Sequence, residues 1–115
     1  MPKTPLQVTI RIQNDTAVLA IAGEIDASAD LELMGAFKNA RALNPQRLLL
    51  NFLDVGYINS TGIAIIVAIL AQARREKLPV LVCGLSEHYQ EIFRITRLSD
   101  FMQIFPDESS ALQMQ

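Results

Sequence analysis

The sequence contains few of the side chains from which most chemical sites are built. Its 115 residues include one cysteine and one histidine, too few for an internal disulfide or for the common zinc sites made of Cys and His. The 10 Lys and Arg side chains do not outnumber the 12 Asp and Glu side chains, so no basic excess is available to hold a nucleic-acid backbone. We therefore expect no metal, no cofactor and no nucleic-acid partner.

The sequence also lacks any long apolar run. The longest, Ile63 to Ala71, is far short of the roughly 20 residues that a membrane-spanning helix needs, and the N-terminal MPKTPLQ has no signal-peptide core. Half of the residues are nevertheless hydrophobic (50%) and only 19% are charged, which favours a packed core over disorder. We expect one cytoplasmic domain, residues 1–115, with no membrane insertion.

Apolar periodicity predicts five strands. The first alternates apolar and polar residues, as in a half-buried strand, whereas the next three are more continuously apolar, as in strands covered on both faces. Their expected ranges are Leu6 to Ile12, Thr16 to Ala22, Arg47 to Phe52, Pro79 to Cys83 and Phe101 to Phe105. Gly23 is expected to end the second strand, and Asp54 to Gly56 to form a turn after the third.

Helical spacing predicts four helices. The first starts near Asp26 and runs to about Leu43. The second, from Ser60 to Glu76, is apolar nearly all round and is expected to be buried. The last two extend from Ser86 to Arg97 and through a short C-terminal segment with Ala111, Leu112 and Met114.

The order of these elements indicates an α/β fold. They follow one another as β-β-α-β-α-β-α-β-α, and the third and fourth strands, joined by the apolar helix, form a right-handed parallel crossover. The opening hairpin adds an antiparallel pair. We expect a single mixed sheet of about five strands, with helices largely on one face.

The polar segment between the third strand and the apolar helix is the candidate functional site. It places Ser60 and Thr61 at a helix start, where backbone N–H groups are unpaired and the helix dipole is positive. A hydroxyl there is commonly an N-cap, worth roughly 1 kcal/mol. It can also be a modification site, since phosphorylation adds about −1.5 to −2 charges. Gly62 would let the sheet or another chain approach closely.

Other polar residues have plainer interpretations. Glu24 and Asp26 could carry acid–base chemistry, but no nucleophile–base pair accompanies them, so we favour a solvated strand end or a helix cap and expect no enzyme. Asp26, Ser28 and Asp30 are each candidate caps of the next helix. Because Asp26 and Ser60 both follow sheet strands, they are expected to lie near each other. Cys83 is expected in the core, and His88 on an exposed helix start.

Five segments resemble STAS domains, and most of all the bacterial anti-sigma-factor antagonists. They are Gly23 to Asp26 (GEID), Leu50 to Phe52 (LNF), Ile58 to Ile63 (INSTGI), Val80 to Leu85 (VLVCGL) and Ile95 to Leu98 (ITRL). The resemblance extends over residues 6–112 and includes the order of elements.

The resemblance implies a partner-switching regulator. Such a domain binds an anti-sigma factor that is also a serine kinase of the histidine-kinase-like ATPase type. The kinase phosphorylates the residue matching Ser60, which releases the antagonist, and a PP2C-type phosphatase restores it. Thr61 and Gly62 match the residues that follow the phosphorylated serine, and Asp26 matches a flanking acid, so the expected partner-binding residues are Asp26, Asn59, Ser60, Thr61 and Gly62.

One position departs from this family pattern. An aspartate usually precedes the phosphorylated serine, whereas this chain has Asn59. The change removes a negative charge beside a group that gains about two, and it bears on which kinase recognises the turn.

Two alternatives therefore stay open. One is a constitutive, unphosphorylated subunit of a transport or signalling complex. The other is a nucleotide- or small-molecule-binding domain that uses the helix start as an anion site.

Overall fold

A five-stranded mixed sheet organises the computed structural model, which describes residues 5–113. The strands lie in chain order across the sheet: β1 (Gln7–Gln13), β2 (Thr16–Ile25), β3 (Arg47–Ile58), β4 (Val80–Cys83) and β5 (Gln103–Phe105). The β1–β2 pair is antiparallel and the other three pairs are parallel. The α-helices are α1 (Asp30–Arg41), α2 (Ser60–Arg75), α3 (Glu87–Ile95) and α4 (Glu108–Leu112). The predicted fold class is confirmed.

Most of the core lies between one face of the sheet and the helices α1, α2 and α3. Leu19, Leu50 and Val82 from the three central strands are fully buried there, against Phe37 of α1 and Phe93 of α3. A smaller cluster on the opposite face is covered by α4, and it contains Val18, Leu49, Leu81, Cys83, Ala111 and Leu112. The central strands are continuously apolar because both of their faces are covered.

The second and third strands are longer than the sequence predicts. Asp54 to Gly56, expected as a turn, lie within β3, and Gly23 does not end β2. The two strands stay paired to Ile25 and Ile58, with shifts of register on the way. Gly23 has φ +106°, and a Cβ there would lie 2.4 Å from the Pro5 carbonyl oxygen. The glycine is thus required by the conformation of β2 itself. Asp54 and Val55 are paired with β2 between the two shifts of register, so this segment is an irregular part of β3 and not a turn.

The helix α2 is not buried on all sides, contrary to the prediction. Ile65, Ile66 and Ile69 face the core, whereas the opposite side exposes small apolar residues, among them Ala68 and Ala71. Alanine is the strongest helix former and carries little apolar surface, so it suits an exposed helix face. Because both sides of α2 carry apolar residues, the hydrophobicity of the sequence does not show which side faces solvent.

The remaining helix boundaries shift by a few residues. A 3₁₀ turn, Ala27–Ala29, precedes α1, which ends at Arg41 and not near Leu43. A second 3₁₀ turn, Leu98–Phe101, replaces the start of the predicted fifth strand. Met114 lies outside the described residues. No helix within residues 5–113 combines the length and apolar character that crossing a membrane requires.

Candidate functional site

The site is built at the carboxyl ends of two neighbouring parallel strands. Ile25 at the end of β2 pairs with Ile58 at the end of β3. The Asn59 backbone N–H donates to the Ile25 carbonyl oxygen at 3.2 Å. Because the strands end side by side, Asp26 and Asn59 leave the same edge of the sheet. The structure therefore brings the segment that starts with Asp26 next to the one that contains Ser60, as predicted.

Asn59, not Ser60, caps α2. Asn59 has extended backbone dihedrals (φ −94°, ψ −177°), and its side-chain oxygen Oδ1 accepts a hydrogen bond from the Gly62 N–H at 2.8 Å. The prediction that Ser60 is the cap is wrong, because Asn is as good a cap as Ser and stands one residue earlier. Ser60 is the first helical residue. It is exposed, and its hydroxyl forms no hydrogen bond with any residue in the described range.

Gly62 fits α2 closely against the sheet. A Cβ at this position would lie 2.0 Å from the Ile25 carbonyl oxygen and 3.0 Å from Ile58 Cγ2. No side chain can occupy that space without displacing the helix start. Of the two roles considered for Gly62, the geometry supports packing: the absent side chain sets where Ser60 and Thr61 sit above the strand ends.

Asp26 organises the neighbouring segment. Its Oδ1 accepts hydrogen bonds from the Ser28 N–H at 2.9 Å and from the Ser28 hydroxyl at 2.7 Å, which caps the 3₁₀ turn that leads into α1. Of the three candidate caps, Asp26, Ser28 and Asp30, the structure uses Asp26, and the helix that it caps is the 3₁₀ turn. Its carboxylate is thereby held at the edge that also presents Ser60.

Tyr89 on α3 holds the end of β3, a role that the sequence analysis missed. Its hydroxyl accepts from the Ile58 N–H at 2.8 Å and donates to the Ile58 carbonyl oxygen at 3.3 Å. Ser86 caps α3 by accepting from the Tyr89 N–H. The usable signal was that a buried tyrosine hydroxyl normally needs a partner. Tyr89 thus ties α3 to the residue that precedes the Asn59 cap.

The two chain segments that meet at the strand ends are acidic. The segments 23–32 and 53–61 contain five carboxylates, Glu24, Asp26, Asp30, Glu32 and Asp54, and no Lys or Arg. The basic residues of α1 and α2 lie in their last turns, at the far ends of those helices. A negative group on Ser60 would therefore find the positive end of the α2 dipole but no cationic side chain within these segments.

The other candidate residues lie away from this edge. Cys83 is buried under α4, as predicted, and its pKa is raised to about 11, first by burial and then by Glu108 and Asp107. It is therefore a protonated core thiol and no nucleophile. His88 is exposed at the start of α3. Within residues 5–113 no three His, Cys, Asp or Glu side chains are grouped so that they could hold a metal ion.

Comparisons with known proteins agree with this architecture. An anti-sigma-B factor antagonist of Listeria monocytogenes is 28% identical over 102 residues, which covers 86% of this chain and 90% of the relative. The crystal structure of an anti-sigma factor antagonist from Mycobacterium paratuberculosis superposes with a TM-score of 0.79 at 21% identity, over 95% of this chain and 92% of the other. The Bacillus cell fate determinant SpoIIAA in its phosphorylated form gives a TM-score of 0.71 at 15% identity, over 96% of this chain and 100% of the other.

The two structural likenesses, both below 25% identity, concern the fold. The family assignment rests on the sequence: the model of the STAS domain matches residues 7–111, which is nearly all of the described chain and includes the strand ends, the Asn59 cap and Ser60. The chain belongs to the STAS domain family.

Proposed function

We propose that this protein is an anti-sigma-factor antagonist that binds its anti-sigma factor through the Ser60 edge and is released when Ser60 is phosphorylated. The observation that carries the proposal is the free Ser60 hydroxyl: Asn59 satisfies the cap, and Ser60 stands exposed at the first position of α2. Its Oγ can accept a phosphoryl group without loss of any hydrogen bond that holds the fold.

The proposed binding surface consists of Asp26, Asn59, Ser60 and Thr61, positioned by Gly62. Apolar side chains border it on both neighbouring segments, since Leu31 is 90% exposed and Tyr57 is 51% exposed. Exposed apolar groups beside polar ones are the usual composition of a protein–protein interface. The name of the Listeria relative supports an anti-sigma factor as the partner.

Phosphorylation would act on the complex more than on the fold. A phosphate adds about −1.5 to −2 charges beside two chain segments that contain five carboxylates and no Lys or Arg. The α2 dipole accommodates the charge within the chain, whereas a partner surface pressed against Ser60 must accommodate both its volume and its charge. A tenfold loss of affinity requires only about 1.4 kcal/mol.

We further propose that the anti-sigma factor is itself the kinase, of the histidine-kinase-like ATPase type, and that a PP2C-type phosphatase reverses the step. The γ-phosphoryl group of ATP passes to Ser60 Oγ with release of ADP and a proton, and hydrolysis later returns the hydroxyl and inorganic phosphate. A phosphorylated form of the similarly folded SpoIIAA supports this use of the fold.

The test is phosphorylation by the anti-sigma factor that immobilised, unmodified chain recovers from a lysate of its own cells. Incubation with ATP should place one phosphate on Ser60, located by mass spectrometry, and should release the complex. Ser60→Ala should bind and stay bound, while Ser109→Ala, the same change at an exposed serine of α4 outside the proposed surface, should be modified and released like the parent. Phosphate on another residue, or release of Ser60→Ala by ATP, would contradict the proposal.

The alternative is a constitutive subunit that is not phosphorylated, and Asn59 in place of the family's usual aspartate favours it. In that case the same immobilised chain would recover transporter or signalling subunits and no kinase. Ser60→Glu would then recover them as well as the parent does. These two results together would replace the antagonist proposal.

A further inference from the structure

A second exposed surface lies at the far end of α2 from Ser60. Val67 keeps 41% of its surface exposed and Phe101 keeps 48%. A cleft of about 200 Å³ separates α2 from the 3₁₀ turn Leu98–Phe101. It is lined by Val67, Leu70, Ala71, Arg74, Leu98 and Phe101. Apart from Arg74, every lining residue is apolar.

Arg74 and Phe101 divide this cleft from a larger one. The guanidinium carbon of Arg74 lies 5.1 Å from the centre of the Phe101 ring, within the range of a cation–π contact. On the other side of the pair, a cleft of about 390 Å³ is bordered by Lys77 and Asp100 and shares Leu70 with the first. We call the two clefts, joined at the Arg74–Phe101 pair, the Phe101 groove.

The charge on the rim of the Phe101 groove is positive. Its one carboxylate, Asp100, accepts a hydrogen bond from Arg97 Nε at 2.9 Å. The positive charge of Arg97 therefore balances the negative charge of Asp100. Neither Arg74 nor Lys77 forms an ion pair with any residue in the range 5–113. The groove therefore combines an apolar floor with two cations that no carboxylate of the described chain neutralises.

We propose that the Phe101 groove docks a protein segment that carries a large apolar side chain flanked by carboxylates. The apolar side chain would fill the cleft between Val67 and Leu98, and the carboxylates would meet Arg74 and Lys77. An apolar anchor surrounded by complementary charge is the common design of grooves that bind peptide segments. This docking goes beyond the proposed switch and does not depend on it.

The groove is remote enough to be insensitive to the charge on Ser60. Arg74 follows Ser60 by 14 positions on the same helix, which corresponds to roughly 21 Å at 1.5 Å per residue. Charges of exposed groups are screened over about 8 Å at physiological ionic strength. A partner held in the Phe101 groove would therefore remain bound when the contact at Ser60 is broken.

The probe is a labelled peptide of roughly 15 residues with Leu at helical spacing and Glu at the flanking positions. Binding is followed by fluorescence anisotropy, and the contact residues are mapped by ¹H–¹⁵N NMR. Two comparison peptides replace Glu by Lys or Leu by Ala. The acidic peptide should bind and shift the amide signals of Val67, Leu98 and Phe101, and neither comparison peptide should do so.

Three variants make the test specific. Arg74→Glu should weaken binding about tenfold, whereas Arg75→Glu, the same charge change on an exposed neighbour that does not line the groove, should not. Ala71→Gln should also weaken binding, because it fills the cleft without a change of charge. Circular dichroism verifies that each variant is folded. Ser60→Glu should bind the peptide as the parent does.

Several results would overturn the proposal. They are equal binding of the acidic and lysine peptides, no binding at millimolar peptide, and equal effects of Arg74→Glu and Arg75→Glu. Sedimentation velocity without peptide supplies the remaining comparison: self-association that Arg74→Glu abolishes would assign the groove to a second copy of this chain instead. Failure of Ser60 phosphorylation would leave the groove result unaffected, so the two proposals are tested separately.

Discussion

At the scale of single residues, Asn59 caps α2, and the exposed Ser60 beside it takes no part in the cap. The Asn59 side chain accepts the hydrogen bond from Gly62 that starts α2, and Tyr89 bridges the backbone N–H and C=O of the preceding Ile58. These contacts hold the turn from both sides. The position that would be modified takes part in neither, so the turn can keep its shape while Ser60 changes its charge.

Replacement of Asn59 tests this assignment of the cap. Asn59→Ala should lower the free energy of unfolding by about 1 kcal/mol, because the Gly62 N–H loses its acceptor. Asn59→Asp should stay close to the parent, since Asp caps as well as Asn and its charge suits the helix start. The measurement is urea denaturation at neutral pH.

Ser60→Ala is the matched control for that experiment. It removes a hydroxyl from the adjacent, equally helical position and should leave the unfolding free energy nearly unchanged. If Ser60→Ala cost as much stability as Asn59→Ala, the cap would belong to Ser60 and the hydroxyl would not be available for modification without loss of structure.

At the scale of elements, the short helix α4 is tied to the sheet by one carboxylate. Glu108 pairs with Arg11 on β1 and accepts a hydrogen bond from Asn51 Nδ2 on β3 at 2.6 Å. The Arg11 hydrogen bond is the largest cause of a pKa of Glu108 below its ordinary 4.5, the Asn51 bond acts in the same direction, and burial opposes both. Three elements are thus linked through an ionised side chain.

This linkage predicts part of the pH dependence of stability. A carboxyl with a lowered pKa in the folded state contributes stability that is fully present above its unfolded pKa, near 4.5, and is lost as pH falls through the lower, folded pKa. Glu108→Gln should therefore lose less stability than the parent when denaturation curves at pH 7 are compared with curves below pH 4.5.

Arg11→Gln serves as the partner variant, because it keeps the carboxyl and removes the largest cause of its lowered pKa. Like Glu108→Gln, Arg11→Gln should lose less unfolding free energy than the parent when the pH is lowered. An acid loss in Glu108→Gln as large as in the parent would show that the stability of the protein at low pH is set elsewhere.

At the scale of the whole molecule, a charge at position 60 is expected to change binding and not folding. Ser60→Glu should be at least as stable as the parent, since a negative charge at the first position of α2 is favourable by about 0.3–1 kcal/mol. Its affinity for the anti-sigma factor should nevertheless fall about tenfold or more. Calorimetry gives the affinity, and thermal unfolding gives the stability.

The ¹H–¹⁵N spectrum of Ser60→Glu distinguishes two ways of switching. Shifts confined to the turn and the first residues of α2 are expected. Shifts throughout the sheet, or a loss of stability, would indicate that a negative charge at position 60 reorganises the fold, and the electrostatic account of release would then be wrong.

The sequence was sufficient for the architecture of the molecule but not for its irregular parts. Period-two and helical patterns located the five strands and four α-helices of residues 5–113, because each buries a recognisable face. The continuation of β3 through Asp54 to Gly56 was missed, since bulged strands contain the same residue types as turns. The exposed side of α2 was missed because alanine is apolar by composition but occurs on exposed helix faces as well as buried ones.

At the start of α2, the sequence located the polar turn before the helix but identified the wrong capping residue. Asn59 and Ser60 are equivalent caps by residue type, and only the backbone conformation shows which of them precedes the helix. The contact between Tyr89 and Ile58 joins residues 31 positions apart. Such a contact depends on how α3 packs against the end of β3 and leaves no local pattern in the chain.

The Asn59 cap also has a consequence for how the protein can be altered. Because the helix start does not need a hydroxyl at position 60, that position can take alanine, glutamate or aspartate with little penalty to folding. The charge at position 60 could therefore be varied while the Asn59 cap and the rest of the molecule stay constant. If phosphorylation of Ser60 controls binding as proposed, its effect on the partner can be studied apart from the formation of the helix start, because a different residue, Asn59, caps α2.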